Sequence, residues 1–122
     1  MKKLKILIVG GSSFIGSNLY YLLVNKYDVY VTKNINKKFN PIFKKINKKK
    51  IVNINLNKIN FYINSMKFDI VINCIGNTKN YKSYKYNIKK SNDLVKKYLK
   101  FLQELNYKIL IHVSSSMVYG FS

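Results

Sequence analysis

In 122 residues, 48% of them apolar and 15% aromatic, there is room for one modest core and no case for a disordered chain. The formal net charge of +19 invites a nucleic-acid partner. Yet all 23 basic residues are Lys, whereas proteins that read phosphates and bases usually add the planar fork of Arg. With Ala also absent and Asn, Ile and Tyr abundant, the charge reads as the bias of an A+T-rich coding sequence spread over a solvated surface, which disfavours nucleic acid as a partner.

Short apolar runs alternate with longer amphipathic ones along the chain. Leu4 to Val9 is rich in β-formers and ends at glycines, which predicts a first strand. From Phe14 to about Lys26, apolar Ile15, Leu19, Leu22 and Leu23 fall at helical spacing. Val29 to Val31 is a short second strand. Asn36 to Lys50 places Phe39, Ile42, Phe43 and Ile46 at helical offsets, with Pro41 suited to an early turn. Ile51 to Ile54 is a third strand, Ile59 to Met66 a short helix, and Asp69 to Cys74 a fourth strand. A long helix is expected from about Tyr84 to Leu105, with Ile88, Leu94, Val95, Tyr98, Leu99, Phe101 and Leu102 on one broad face. Lys108 to Val113 is the fifth strand. Alternating strands and helices predict an α/β fold of the Rossmann type, a doubly wound parallel sheet of about five strands in the order 3-2-1-4-5. One domain is expected over residues 1–122.

Cys74 is the single cysteine, which excludes an internal disulfide and fits a reducing compartment. The apolar run after Met1-Lys2-Lys3 is too short for a signal peptide, and nothing approaches the ~20 apolar residues of a membrane span. A soluble, cytoplasmic chain with no membrane partner is expected. His112 and Cys74 have no neighbours at metal-ligand spacing, so both are expected to pack in the core and no metal site is predicted. Asp28 and Asp69, read as preceding strands, do not suggest carboxylate chemistry with Asp93 and Glu104. Tyr81, Tyr84 and Tyr86, set among Lys79, Lys82 and Lys85, read mainly as a solvated rim, with a nucleic-acid or sugar-nucleotide surface as the functional alternative.

Gly10-Gly11-Ser12-Ser13-Phe14-Ile15-Gly16 follows the first strand and opens the first helix. In that context Gly10 allows a tight turn, a small residue at Ser13 lets backbone amides approach a pyrophosphate, and Gly16 lets the helix pack closely on the sheet. The helix N-terminus offers unpaired N–H groups and partial positive charge to phosphates. The bland reading is a structural turn in which Ser12 or Ser13 merely caps the helix.

These residues resemble the extended short-chain dehydrogenase/reductases, in particular the NAD-dependent epimerase/dehydratase group acting on nucleotide sugars. Val9 to Gly16 is similar to that family's TGGxGFIG turn, with Val9 for Thr and Ser13 for the middle Gly. Asp69 to Gly76 is similar to DVVIHLAA. Tyr86 to Leu94 resembles the YxxNVxGTxNLL helix with Lys90 for its Gly, and Ser114 to Gly120 resembles SSxxVYG. The resemblance implies an NAD(P) cofactor whose pyrophosphate is lined by Gly10, Ser12, Ser13, Phe14, Ile15 and Gly16. Asn55 and Leu56 would meet the adenine. Cys74, Ile75 and Gly76 would pass beside the ribose, with Asn87 near the nicotinamide. Ser115 matches the family's catalytic Ser/Thr, with Ser114 as its backbone neighbour and Tyr119 structural. Where NAD-binding members commonly carry an acid for the ribose 2′-hydroxyl, this chain has Lys33 followed by Asn34; Lys33 can pair with a 2′-phosphate, which favours NADP.

The family's chemistry also needs a Tyr-x-x-x-Lys pair on the helix after the fifth strand. The sequence stops at Ser122, and Tyr81 to Lys85 stands at the wrong place to substitute. The expectation is therefore the cofactor-binding, N-terminal part of a nucleotide-sugar epimerase, dehydratase or reductase, lacking the last strands and the substrate domain. Its open sheet face would be covered by a homo-oligomer or a partner chain. Two alternatives remain open: a catalytically inactive dinucleotide-binding module acting through a partner, and a basic nucleic-acid-binding protein.

Overall fold

A computed structural model describes residues 3–10, 14–34, 46–75, 93 and 96–113. Strand β1 (Lys5–Val9) is the centre of the sheet. Four of its five side chains are buried, which an apolar run achieves only when both faces are covered. Ile6 and Ile8 point to one face, Leu7 and Val9 to the other, following the two-residue period of a strand.

Helix α1 (Phe14–Leu23) packs on the Ile6/Ile8 face through Tyr20 and Leu19, beside Val29, Val31, Ile72 and Cys74. The opposite face holds Leu7, Val9, Val52, Ile54 and Val71 beneath two further helices. One is α2 (Phe61–Asn64), which contributes Ile63. The other, α3, is helical over 96–104, with residue 93 also helical, and contributes Phe101 and Leu102.

The remaining strands are β2 (Asp28–Asn34), β3 (Ile51–Ile54), β4 (Lys67–Asn73) and β5 (Asn106–His112). All four pairings are parallel and the order is β3-β2-β1-β4-β5, the doubly wound arrangement expected from the pattern. The order reverses at β1, so the first strand's exit lies at the switch point.

Most elements shift their ends by a few residues, and three depart further from their sequence reading. Strand β2 extends beyond Val29–Val31 at both ends, because Asp28 pairs with Lys5 and Asn34 with Ile54. Polar end residues hid strand that its neighbours on both sides impose. The helix expected over 36–50 does not reach its end: Lys48–Lys50 is a 3-10 turn capped by Asn47, whose Oδ1 accepts from Lys49 N at 3.0 Å. Lys50 is drawn back onto Asp28, with its ammonium 4.3 Å from the centre of the Tyr30 ring. Residues 36–45 of that expected helix, and 84–92, 94 and 95 of the long one, lie outside the described residues. On α3, Leu99 is exposed rather than part of the apolar face.

Asp28 lies within β2 rather than before it, and Asp69 lies two residues inside β4, which was expected to start there. Asp69 links three strands near their amino ends: Lys5 N of β1 donates to its Oδ2 at 2.8 Å, and Lys108 Nζ of β5 lies 3.5 Å from its Oδ1. The backbone N–H of Lys5 first, and the Lys108 ammonium second, hold this carboxyl below its ordinary value of 3.8. A depressed carboxyl stabilises the fold above its ordinary value, and that contribution is lost as pH falls through the folded-state value. Asp69→Asn should therefore lower the melting temperature at pH 7, with the two proteins converging as pH falls through the depressed folded-state value; thermal melts across pH check this.

Candidate functional site

At the end of β1, Gly10 turns the backbone to φ +85°, a left-handed conformation that side-chain-bearing residues rarely adopt. The space is as demanding as the angle. A Cβ built on Gly10 would lie 2.9 Å from Ile75 Cγ1 and 3.3 Å from Ile75 N. Two hydrogen bonds hold the turn from either side. Gly10 N donates to Thr32 Oγ1 of β2 at 3.1 Å, and Cys74 N, just past β4, donates to Val9 O at 2.8 Å.

Four residues on, α1 begins at Phe14. Its first turn carries no acidic residue, so nothing there competes with an anion for the helix N-terminus. Ile15 is exposed, whereas Gly16 and Ser17 are buried. Ser12 and Ser13 lie outside the described residues, as does the side chain of Phe14.

Past β3, Asn55 and Leu56 enter a turn locked by Asn60. Asn55 N donates to Asn60 Oδ1 at 2.8 Å, and Asn60 Nδ2 donates to the carbonyls of Asn55 and Lys58, each at 3.1 Å. Asn55 Oδ1 accepts from Asn57 N at 3.0 Å, which commits the amide oxygen to its own turn. Leu56 lines a cavity of about 440 Å³ with Asn57 and Phe61 below and Lys97 and Phe101 of α3 beside it. Lys33 is half-buried at the penultimate position of β2, opposite Asn53 of β3. The side chain of Asn34 lies outside the described residues.

Past β4, Cys74 is buried in the α1 layer, as expected for a small apolar residue, and burial pushes its thiol up to about 11. Ile75 backs Gly10. The structure thus brings Gly10, Cys74 and Ile75 together at the carboxyl ends of β1 and β4, and places Lys33 and the Asn55–Leu56 turn at the carboxyl ends of β2 and β3. Gly76, Asn87, Ser114 and Ser115 lie outside the described residues, as do Tyr81, Tyr84, Tyr86 and Tyr119.

His112 corrects its sequence reading. It is exposed at the end of β5 rather than packed, because β5 is an edge of the described sheet and its ring meets the neighbouring strand: His112 Nδ1 lies 3.1 Å from Asn73 Nδ2. Sequence reasoning also passed over Thr32 and Asn73, whose polar character at the ends of apolar runs was the available signal.

A larger cavity, about 820 Å³, opens at the opposite end of the sheet among Lys3, Lys5, Asp28, Lys50, Lys67 and Asp69. Size does not make it the functional site. None of the described glycine-turn residues borders it, and ligands of open α/β sheets bind at the strands' carboxyl ends.

The NAD dependent epimerase/dehydratase family model matches residues 6–122, nearly the whole sequence. The chain belongs to that family. Solved structures with the same fold include the UDP-N-acetylglucosamine 4-epimerase of Methanobrevibacter ruminantium, at 22% identity and a TM-score of 0.74 over 100% of this chain. The UDP-glucose-4-epimerase of Stenotrophomonas maltophila, solved with bound NAD, follows at 19% identity and 0.71 over 98%. The UDP-glucuronic acid 4-epimerase of Bacillus cereus gives the same values, 19% and 0.71 over 98%. The chain spans 41%, 39% and 42% of those three chains, respectively. No curated protein matches it.

Within this family member, the Gly10 turn is the most constrained point of the site. Gly10→Ala should cost about 1–3 kcal/mol from backbone strain alone, more if Ile75 cannot yield, as read by urea denaturation.

Proposed function

We propose that this chain is the NAD(P)-holding part of a nucleotide-sugar epimerase, dehydratase or reductase, with residues 1–122 forming an incomplete Rossmann domain. The observation that carries the reading is the left-handed Gly10 turn at the switch point of a 3-2-1-4-5 sheet, leading into a helix with no acid in its first turn. The donor chemistry suits a pyrophosphate: backbone N–H groups and a helix N-terminus, in a chain of net charge +19.

In this reading Gly10, Ser12, Ser13, Phe14, Ile15 and Gly16 line the pyrophosphate, Asn55 Nδ2 and Leu56 receive the adenine, and Cys74, Ile75 and Gly76 border the ribose. Asn87 lies toward the nicotinamide, with Ser114 beside Ser115. When bound, the dinucleotide supplies hydride transfer at a sugar carbon. Ser115 is assigned the hydrogen bond to the reacting hydroxyl or carbonyl, by its place in the Ser114–Gly120 motif.

Lys33 gives the site a preference for NADPH, because an ammonium at the end of β2 pairs with a 2′-phosphate and cannot accept from a 2′-hydroxyl. Titration with NADH and NADPH tests both levels of the reading. Binding of either supports the dinucleotide site, and Lys33→Asp should shift the ratio toward NADH by up to about fivefold, the scale of a partly exposed ion pair. Equal affinity for the two cofactors, unchanged in the variant, removes the NADPH preference. No binding of either removes the function.

A second polypeptide over the sheet is favoured by one further observation. Ile109 and Ile111 on β5 are 55% and 44% exposed, on the face where their partners Ile70 and Ile72 pack toward α1. Apolar strand residues left in water favour a covering partner, a second copy of this chain in the simplest case. Sedimentation should then show a dimer that Ile109→Lys with Ile111→Lys converts to monomer.

A further inference from the structure

The turn after β3 holds two bulky apolar side chains out in water. Ile59 and Phe61 flank Asn60 and are 61% and 77% exposed. Neither exposure comes from a loose loop. The Asn60 side chain bonds Asn55 N and the carbonyls of Asn55 and Lys58, which fixes the backbone on the approach to both residues. Within α2, Ile63 is the residue that enters the core, and that anchor leaves Phe61 facing outward.

Across from this turn, Lys97, Lys100, Phe101 and Glu104 recur at i, i+3, i+4 and i+7 and so share one face of α3. Between the two elements lies the cavity of about 440 Å³. Half-buried Leu56 and buried Phe101 form its floor, and Ile59 and Phe61 form one wall. Lys58, Lys97 and Lys100, all exposed, make its rim basic. Because α3 leads down to the amino end of β5, the groove runs away from the strands' carboxyl ends.

We propose that this groove docks an amphipathic helical segment of another protein, with bulky apolar side chains on one face and carboxylates beside them. The inference is independent of the dinucleotide reading, with which the groove shares Leu56 alone. No strand contributes to the lining, so the groove offers side-chain pockets and no free backbone edge for an added strand. Lysine is common over the whole chain, and a basic rim by itself would select nothing. What distinguishes this place is the apolar floor and wall set between the lysines, with an aromatic side chain already fixed in position.

Charge decides against a second copy of this chain. Of its four acids, Asp28 and Asp69 are engaged at the amino ends of the sheet. Self-pairing of the groove would set the three lysines and single glutamate of each copy against the same set. A lipid surface would meet the protruding Ile59 and Phe61 but could not fill a recess floored by Leu56 and Phe101.

The test uses the whole chain and a labelled, blocked peptide of about fourteen residues, with Leu at i, i+3, i+4 and i+7 and Glu at most other positions. A second peptide has Ser for each Leu, and a third has Lys for each Glu. Fluorescence anisotropy at about 150 mM salt should show the Leu/Glu peptide bound about tenfold more tightly than its Ser counterpart. Phe61→Ser should weaken it about tenfold, the loss of one well-covered aromatic contact. Lys97→Glu with Lys100→Glu should weaken it by about as much and admit the Lys peptide instead. Lys48→Glu with Lys49→Glu, outside the groove, should change it less than about twofold. All these side chains are exposed, so each variant should melt with the wild type. In Phe61→Trp, the indole emission should move to shorter wavelength when the Leu/Glu peptide is added. Absence of binding, equal binding of the Leu and Ser peptides, equal losses in the groove and Lys48/Lys49 variants, or an unmoved indole emission overturns the inference. Self-association abolished by Phe61→Ser would place a second copy in the groove and overturn it as well. So would an emission shift given by vesicles of phosphatidylcholine and phosphatidylglycerol and not by the peptide.

Discussion

The contact of Gly10 with Ile75 is the constraint around which the molecule is arranged. Two parallel strands, β1 and β4, end side by side, and their chains must leave in different directions: one into α1, the other toward the segment before α3. The strands are about 4.8 Å apart, which leaves no room for a side chain between the two exits. A residue without Cβ, at φ +85°, meets both the steric and the torsional demand. Among the described residues, support for the turn comes from β1 and its neighbouring strands. Thr32 supplies an acceptor from β2, Val9 O receives Cys74 N, and Asn73 holds Ile75. A single backbone turn is thereby fixed by residues from three strands.

The two ends of the sheet are built by different chemistry. At the amino ends, carboxylates do the joining: Asp28 with Lys50, and Asp69 with Lys5 N and Lys108. At the carboxyl ends, neutral amides and a hydroxyl do it, through Thr32, Asn55, Asn60 and Asn73. A carboxylate placed at the second end would repel a phosphate a few ångströms away, whereas an amide or hydroxyl satisfies the backbone at no electrostatic cost. The partition suits the proposed dinucleotide site, and it is visible among the described residues although the chain contains only four acids.

The same physics decided what could be read before any coordinates. The strands were legible because a sheet covered on both faces writes itself as unbroken apolar runs, and Leu7, Ile8, Val9, Val31 and Val71 are all fully buried. Gly10 was legible because its position between strand and helix demands a residue without Cβ. The ends of β2 were not, since Asp28 and Asn34 are strand only by virtue of Lys5 and Ile54 beside them. Nor were Thr32, Asn60 and Asn73 as a functional group. Each acts across a register that local periodicity does not encode, and an Asn after an apolar run looks like an ordinary turn signal. His112 was misread for a related cause: between Ile111 and Val113 it has the neighbours of a core residue, but β5 is an edge strand and its outer positions stay in water.

The excess of lysine bears on the site less than its size suggests. A net charge of +19 raises the local concentration of any anion, and it does so without regard to shape. At physiological salt the field of an exposed lysine fades over about 8 Å, so distant lysines contribute capture rather than recognition. Discrimination comes from groups whose positions are fixed, and among the described residues the backbone at Gly10 and at Asn55 is fixed by side chains of Thr32 and Asn60. Backbone N–H groups keep their geometry whatever the surface composition becomes. A chain whose surface has drifted to lysine and asparagine can therefore retain the Gly10 turn intact, provided that the few residues that hold the backbone, Gly10 and Thr32 first among them, stay as they are.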